Sequence, residues 1–323
     1  MSELLTNYGD VFLTWHDGAQ GQGDGYYGGA RDVRKVERST YYDWTNTWEL
    51  IRKLQPMAVI RSDSGPDVRW VGNQFGVAED PCWDTVDLRN GYPGMPDRQG
   101  NAVGLRNGPQ WMPAECDLSI RRGWFYHDID NFSVKSVQQL VGIFYGSVGH
   151  GADLNLNVPL DKRGLIDEKD AQSLEGMGQW LNATFAVNLA KGAKLTASNV
   201  RGGDKQFSPE NLLDDNRTTY WATDDKVTTP ELTMDFGKAI TFNVISLREY
   251  LPLGQRVEAF ALDEWKDGKW QEFSKGTSIG SQRLVRLTSS INTTQLRLRI
   301  TKSPVCPAIS EFGLFIEPDK SGK

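Results

Sequence analysis

Apolar and polar positions follow one another in two different textures along this chain, and the change falls near residue 186. Before it, short apolar runs alternate with helical patterns. Residues 11–19, VFLTWHDGA, form an apolar run that ends in a carboxylate and a glycine. That pattern suits a buried parallel strand delivering one Asp to the rim of a site. MAVIRSD (57–63) reads as a second short buried strand, and DLNLNVPL (153–160) alternates like a strand. Residues 133–145 place Val134, Val137, Val141 and Phe144 on one helical face, and residues 168–185 do the same with Leu174, Met177, Leu181 and Phe185. Strands interleaved with helices predict parallel βα units.

After Asn188 the period drops to two. LTMDF (232–236) sets Leu232, Met234 and Phe236 against Thr233 and Asp235. QLRLRI (295–300) sets Leu296, Leu298 and Ile300 inward and Arg297 and Arg299 outward. DGKW (267–270) is a turn signal between VEAFALDEW and QEFSKG, so a hairpin is expected there. Short strands joined by turn chemistry predict an antiparallel sandwich that begins at NLAKGAKLTAS (188–198). The fold class expected is therefore multidomain, α/β followed by all-β. The divisions are 1–186, 187–318 and a disordered tail at 319–323.

Length and composition narrow the function. The 323 residues are enough for two ordinary domains. Net charge is −6, from 42 acidic and 36 basic side chains, and no basic run of five occurs, which argues against a nucleic-acid partner. No apolar stretch is long enough to span a membrane. MSELLTNYGD has neither the basic nor the apolar region of a secretion signal. Cys82, Cys116 and Cys306 are too few and too far apart for a disulfide framework or a CxxC metal pattern, and read as free thiols. Eleven Trp is a high count for a chain this long; core filling accounts for most, and sugar-facing rings are the functional alternative. The cluster GQGDGYYGGA (21–30) fits no phosphate-binding motif and reads as a loop with Tyr26 and Tyr27 as rim contacts. The long polar segment 88–108 reads as a loop that shapes a leaving-group subsite.

Six blocks in order carry a resemblance: ELLTNYG (3–9), WHDGA (15–19), SGPDVRWVGNQFGVA (64–78), PAECDLSIRRGWFYH (113–127), LNLNVPLDKRGLI (154–166) and the sandwich. Together they resemble glycoside hydrolase family 29, the retaining α-L-fucosidases. The resemblance implies a (β/α)8-like barrel with its site at the C-terminal strand ends. Here that barrel is expected to be incomplete, because in the family much of it precedes the WHDGA strand. The second half resembles the galactose-binding-like, discoidin-type jelly roll, on the strength of LLDDNRTTYWAT (212–223), LTMDFG (232–237) and the closing LRLRITKSP…ISEFGLF.

The resemblance also implies site residues. Asp17 falls on the nucleophile position; a carboxylate is ionised at neutral pH and is also a competent leaving group, as a covalent glycosyl intermediate requires. By itself, an Asp before Gly would read as a turn residue. Gln74 stands where relatives with a GPD-x-RWxGN block carry the acid/base Glu, and an amide cannot protonate a departing oxygen. Three explanations compete: an inactivating change, a substitute carboxylate at Glu79 or Asp80, or an acid elsewhere. Trp124 resembles a substrate-facing ring, with a core position as the alternative. Trp70 and Arg69 accompany the motif as substrate contacts, although Arg69 could equally pair with Asp67. His127 reads as structural, and His16 points to the other strand face from Asp17. In the sandwich, Trp221 reads as core, and Asp214 and Asp215 as turn residues with a calcium loop as the alternative. No cofactor is implied. The expected substrate is a fucosylated oligosaccharide or glycoconjugate, and the expected setting of a full-length relative is periplasmic or secreted. A non-catalytic carbohydrate-binding protein, or an inactive fragment, is the competing reading.

Overall fold

The computed structural model describes residues 1–18, 37, 39–87, 89 and 98–319. The glycine-rich cluster with Tyr26 and Tyr27, part of the 88–108 segment and residues 320–323 lie outside that description. The chain forms two compact units, Met1–Ala78 with Trp83–Asp117, and Glu79–Cys82 with the residues from Leu118 onward.

The first unit holds α1 (Ser2–Thr6), β1 (Leu13–His16), α2 (Trp44–Leu54), β2 (Val59–Ser62), β3 (Val68–Trp70), β4 (Thr85–Val86), α3 (Arg98–Val103), β5 (Gln110–Trp111) and β6 (Ala114–Ser119). β1, β2, β3 and β6 pair in that order, all parallel, with His16 opposite Ser62, Ser62 opposite Arg69 and Trp70 opposite Glu115. The strands expected at 11–19 and 57–63 are both present, but β1 is half-buried rather than buried, with Trp15 41% exposed. α2 turns Trp48, Ile51 and Leu54 to one side, and Ile51 packs with Leu5, Ala58 and Ile60 against the sheet. Every residue of β6 is buried, as a central parallel strand requires.

Arg69 organises the segment between β3 and β6. It is fully buried, and its guanidinium donates to the carbonyls of Asn101 (2.9 Å) and Trp83 (2.7 Å) and to that of Met112. Gly104 lets this happen: it has φ +73°, and a Cβ there would lie 2.1 Å from the Trp83 carbonyl oxygen.

The last residues of β6 belong to the second unit, where β7 (Asp153–Asn157) is their neighbour and Ile120 N–H donates to the Asn157 carbonyl at 2.9 Å. α4 (Val137–Gly146) starts at a capping box in which Ser136 and Gln139 satisfy each other's backbone N–H. α5 (Glu168–Phe185) starts at Asp167, whose side chain accepts from Lys169 N–H. α5 matches the periodicity; α4 keeps Val137, Val141 and Phe144 but starts at Val137, so Val134, expected on the same face, precedes the helix. Between them Arg121, fully buried, ion-pairs with Asp170 at 2.8 Å and lies over the Tyr126 ring at 4.6 Å.

The remaining strands are β8 (Lys194–Ala197), β9 (Trp221–Ala222), β10 (Glu231–Glu249), β11 (Ala259–Lys266), β12 (Lys269–Gly276), β13 (Arg283–Lys302) and β14 (Ala308–Phe315). They are antiparallel, in the order β12-β11-β13-β10-β14-β9, with β8 also on β10. β10 and β13 are 19 and 20 residues long and shift register near Asp235–Ile240 and Phe242–Val244. Those bulges let one pair of strands serve successive stretches of the sheet. The expected alternation holds: Leu232, Met234, Leu296, Leu298 and Ile300 are core, together with Trp221, Phe242, Phe312 and Leu314. The turn at Asp267–Gly268 has φ +52° and +74°, the pair of positive values that a two-residue type I′ hairpin needs.

Candidate active site

Because β1, β2, β3 and β6 run parallel, their C-terminal ends share one edge of the sheet, and the chemistry-bearing residues of the first unit gather there. Strand alternation divides β1 into two faces. Thr14 and His16 face the α2 side, where the His16 ring stands edge-on to Trp44 at 5.7 Å. Burial lowers the His16 pKa, which favours the neutral imidazole. Trp15 and Asp17 take the opposite face. Asp17 follows the last strand residue and is exposed.

That second face is charged at its base. Arg61 of β2 and Glu115 of β6, 2% and 4% exposed, form an ion pair of 2.7 Å. The Arg61 guanidinium lies 4.2 Å from the centroid of the Trp15 ring, and the Trp15 indole N–H donates to the same Glu115 oxygen at 3.1 Å. Three strands are thus tied together by one buried charge pair roofed by an aromatic ring. A pair of this kind is costly to break and is a weak device for stability alone. One pleat further along β6, Asp117 accepts the Trp70 indole N–H at 2.5 Å, and the same N–H is shared with the Asn73 carbonyl at 3.1 Å. Burial raises the Asp117 pKa against the hydrogen bond from Trp70 and the charge of Arg61, with the Glu115 charge adding to the rise.

Gln74 projects from the loop after β3 and is exposed. Asn73 sets that loop: its Oδ1 accepts from Phe75 N–H at 3.0 Å and its Nδ2 donates to the Val77 carbonyl at 2.8 Å. Register thus places Asp17 and Trp70 in one row of the sheet, and Gln74 follows in the exposed loop after β3. Arg69 departs from the expected substrate role, since burial and three carbonyl acceptors commit it to holding the 83–112 segment. Asp67, its alternative partner, is instead bound by Arg52 and by Ile60 N–H.

The other sequence candidates belong to the second unit. Trp124 is 40% exposed and its carbonyl accepts from Asn157 Nδ2 at 3.0 Å. Glu79 and His127 are exposed. Asp80 is engaged elsewhere, by Arg283 at 2.5 Å and by the Thr277 hydroxyl. Burial pushes its pKa up, but those bonds and the Arg283 charge outweigh burial and leave it below the usual carboxylate range. Asp214 Oδ1 accepts Asn216 N–H at 2.8 Å and its Oδ2 accepts the Thr219 hydroxyl at 2.6 Å, while Asp215 pairs with Lys191. Among the described residues no cluster of three His, Cys, Asp or Glu side chains could hold a metal ion, and no helix is long and apolar enough to cross a membrane. Cys82, Cys116 and Cys306 are buried and form no disulfide among the described residues.

Sequence reasoning missed Trp15, Arg61, Glu115 and Asp117. Their signal was present as an arginine inside the apolar run MAVIRSD and two carboxylates at i and i+2 in AECDLS.

A family model described as Alpha-L-fucosidase matches residues 1–184, and one described as F5/8 type C domain matches residues 194–312. The chain is 37% identical over 320 residues to Alpha-L-fucosidase 1 of Arabidopsis thaliana, covering 98% of this chain and 60% of that protein. It thus spans about 60% of that relative's length. The solved structure of SpGH29 matches with TM-score 0.83 at 33% identity, over 96% of this chain and 64% of that one. A Ruminococcus gnavus GH29 fucosidase solved in complex with fucose matches with TM-score 0.80 at 30% identity, over 96% of this chain and 62% of that one.

Proposed function

The chain belongs to the α-L-fucosidase family, and from that premise we propose that it carries the nucleophile half of a retaining α-L-fucosidase site. Its substrate would be a terminal α-L-fucosyl group on an oligosaccharide or glycoconjugate. The observation that carries this reading is Asp17, exposed at the end of β1 above the Trp15–Arg61–Glu115 cluster. The Asp17 carboxylate attacks the anomeric carbon as the glycosidic C–O bond breaks, and water then releases fucose from the ester with net retention. Arg61 and Glu115 hold the Trp15 ring in place beside the attacking group. Trp70 flanks the same edge and offers a ring for the sugar's apolar face.

Gln74 favours a second reading, a protein that binds fucosides and turns them over slowly or not at all. One experiment separates the two. The purified chain is incubated with 2-chloro-4-nitrophenyl α-L-fucoside, whose leaving group needs little acid assistance, and with an activated 2-fluoro-fucosyl inactivator. The catalytic reading expects nitrophenol release and a covalent adduct mapped by mass spectrometry to Asp17, both lost in Asp17→Ala. Saturable fucose binding with neither release nor adduct would establish the second reading instead.

A further inference from the structure

The site has an apparent gap. Gln74 cannot give a proton to a departing glycosidic oxygen, and Asp80, one of the carboxyls beside it in sequence, is held by Arg283 and Thr277. The face that carries Asp17 offers another carboxyl.

Strand register sorts the carboxyls there. His16, Ser62 and Arg69 are paired across β1, β2 and β3, and the next residue of β3, Trp70, is paired with Glu115 of β6. Asp17, one residue past His16, thus falls in the row of Trp70 and Glu115. Glu115 is spent on Arg61 and the Trp15 indole, both of which bind the same oxygen. Asp117 lies next on the same face of β6 and meets the row through the Trp70 indole. That indole N–H is shared between Asp117 Oδ1 and the carbonyl of Asn73, so both oxygens lie within 3.1 Å of one nitrogen. Asn73 is the residue before Gln74. The Asp117 carboxyl therefore sits against the backbone from which the absent acid would have projected.

We propose that Asp117 is the proton donor and acceptor of this site, standing in for the carboxyl missing at Gln74. The inference rests on the retaining-fucosidase reading above. In the first step the O–H of Asp117 passes its proton to the glycosidic oxygen as the bond from that oxygen to C1 breaks and Asp17 bonds to C1. In the second, the Asp117 carboxylate takes a proton from water as the water oxygen bonds to C1 and Asp17 leaves as carboxylate. The proton returns to Asp117 and no redox partner is needed. The surroundings of Asp117 suit a proton donor, since the residue is 7% exposed and its burial favours the protonated form it must hold at the start. The charges facing it are Arg61 from β2, which opposes protonation, and Glu115 from its own strand, which favours it.

The test compares an unactivated substrate, a fucosyl oligosaccharide, with the chloronitrophenyl fucoside in the full chain. Asp117→Asn is expected to lower kcat/KM on the oligosaccharide by about 100-fold or more and on the aryl fucoside by less than about 10-fold. It is also expected to remove the basic limb of the pH profile. Azide, which needs no general base, should accelerate turnover of the aryl fucoside by Asp117→Asn and yield fucosyl azide of retained configuration. The double variant Gln74→Glu/Asp117→Asn should recover oligosaccharide hydrolysis, which a misfolded Asp117→Asn could not. Equal losses on both substrates with an unchanged pH limb and no azide product would overturn the inference while leaving Asp17 as nucleophile. So would the same pattern of effects in Asp63→Asn, the neighbouring carboxyl after β2, with Asp117→Asn unaffected. A wild-type chain that neither releases the aryl group nor traps at Asp17 would sink the fucosidase reading, and this inference with it.

Discussion

In the sandwich, a buried carboxylate is closed off by its partners; in the parallel sheet, it is left facing the site. Asp263 of β11 is buried and bridged by Arg297 and Arg299 at 2.8 Å each. Glu249 of β10 accepts three backbone N–H groups, from Arg256 (2.6 Å), Val257 (2.8 Å) and Gly280 (2.8 Å), which pins two loops to the strand. Around them lies a continuous apolar core. Among the described residues, the first unit has a smaller apolar cluster around Ile51, and polar atoms of Thr14, His16, Trp44, Trp48 and Ser64 are buried there without hydrogen-bond partners. In the sandwich Arg248 and Arg283 likewise bury an Nε without a hydrogen-bond partner, but each guanidinium is ion-paired, with Glu311 and with Asp80. The difference is therefore one of kind: the sandwich's orphaned atoms belong to paired charges, whereas those named in the first unit are hydroxyl, imidazole and indole groups.

The largest way to break this contrast is to remove Arg61. Arg61→Met leaves Glu115 buried and unpaired, and is expected to cost about 3–5 kcal/mol in urea unfolding followed through Trp fluorescence. Arg61→Met/Glu115→Leu, which removes both charges, should regain most of that. If the single variant is as stable as the parent, the pair is hydrated and the face is not the closed base described above.

The second comparison divides the second unit. α4 and α5 pack Val141, Tyr145 and Phe185 against Val244, Leu284 and Phe315 of the sandwich. A fragment of residues 187–319 is expected to unfold cooperatively but to be less stable than residues 118–319 by about 2–4 kcal/mol, the order of a few buried apolar side chains. Calorimetry of both fragments measures the gap. Equal midpoints would make residue 187 the true boundary in energy as well as in sequence texture.

Glu249 sharpens the contrast through pH. Complete burial raises its pKa to about 7 in spite of the three N–H donors. Its folded pKa then lies above its unfolded one, so the folded state binds the proton more tightly. The stabilisation is present at pH below about 4.5 and is lost as pH rises through about 7, amounting to about 3 kcal/mol. Urea midpoints measured between those limits should fall with rising pH, and Glu249→Gln should flatten the slope. A midpoint that rises over that window would mean that the N–H donors win and the carboxylate is the favoured form.

What the sequence showed clearly was whatever periodicity governs. α5 and the alternating strands of the sandwich could be read directly, because burial of one face is a local pattern repeated along the chain. Asp17 was legible only through the family blocks around it, since an Asp before Gly is ordinarily a turn residue. Arg61, Glu115 and Asp117 were not legible, because their significance lies in pairing across three strands. β6, read along the chain, is six residues of mixed character, and only the parallel register places its carboxylates beside Trp15 and Trp70. Arg69 misled for the same reason. Next to a motif tryptophan it suggested a substrate contact, whereas its acceptors are carbonyls 14 to 43 residues away in sequence.

The smallest expected effect lies in the turn at Asp214. Two readings of its carboxylate were open, turn cap and calcium ligand. In the turn, one oxygen accepts Asn216 N–H and the other the Thr219 hydroxyl, and Asp215, at φ +59°, directs its carboxylate to Lys191. Both carboxylates thus already have donors, and a cation would have to displace them. Asp214→Ala removes two exposed hydrogen bonds and is expected to cost about 1 kcal/mol, lowering Tm by a few degrees. Addition of calcium or of a chelator should leave the Tm of the parent chain unchanged. A calcium-dependent rise in Tm that Asp214→Ala abolishes would reverse the assignment and make this turn a site, so that the sandwich too would carry a carboxylate kept open for a ligand.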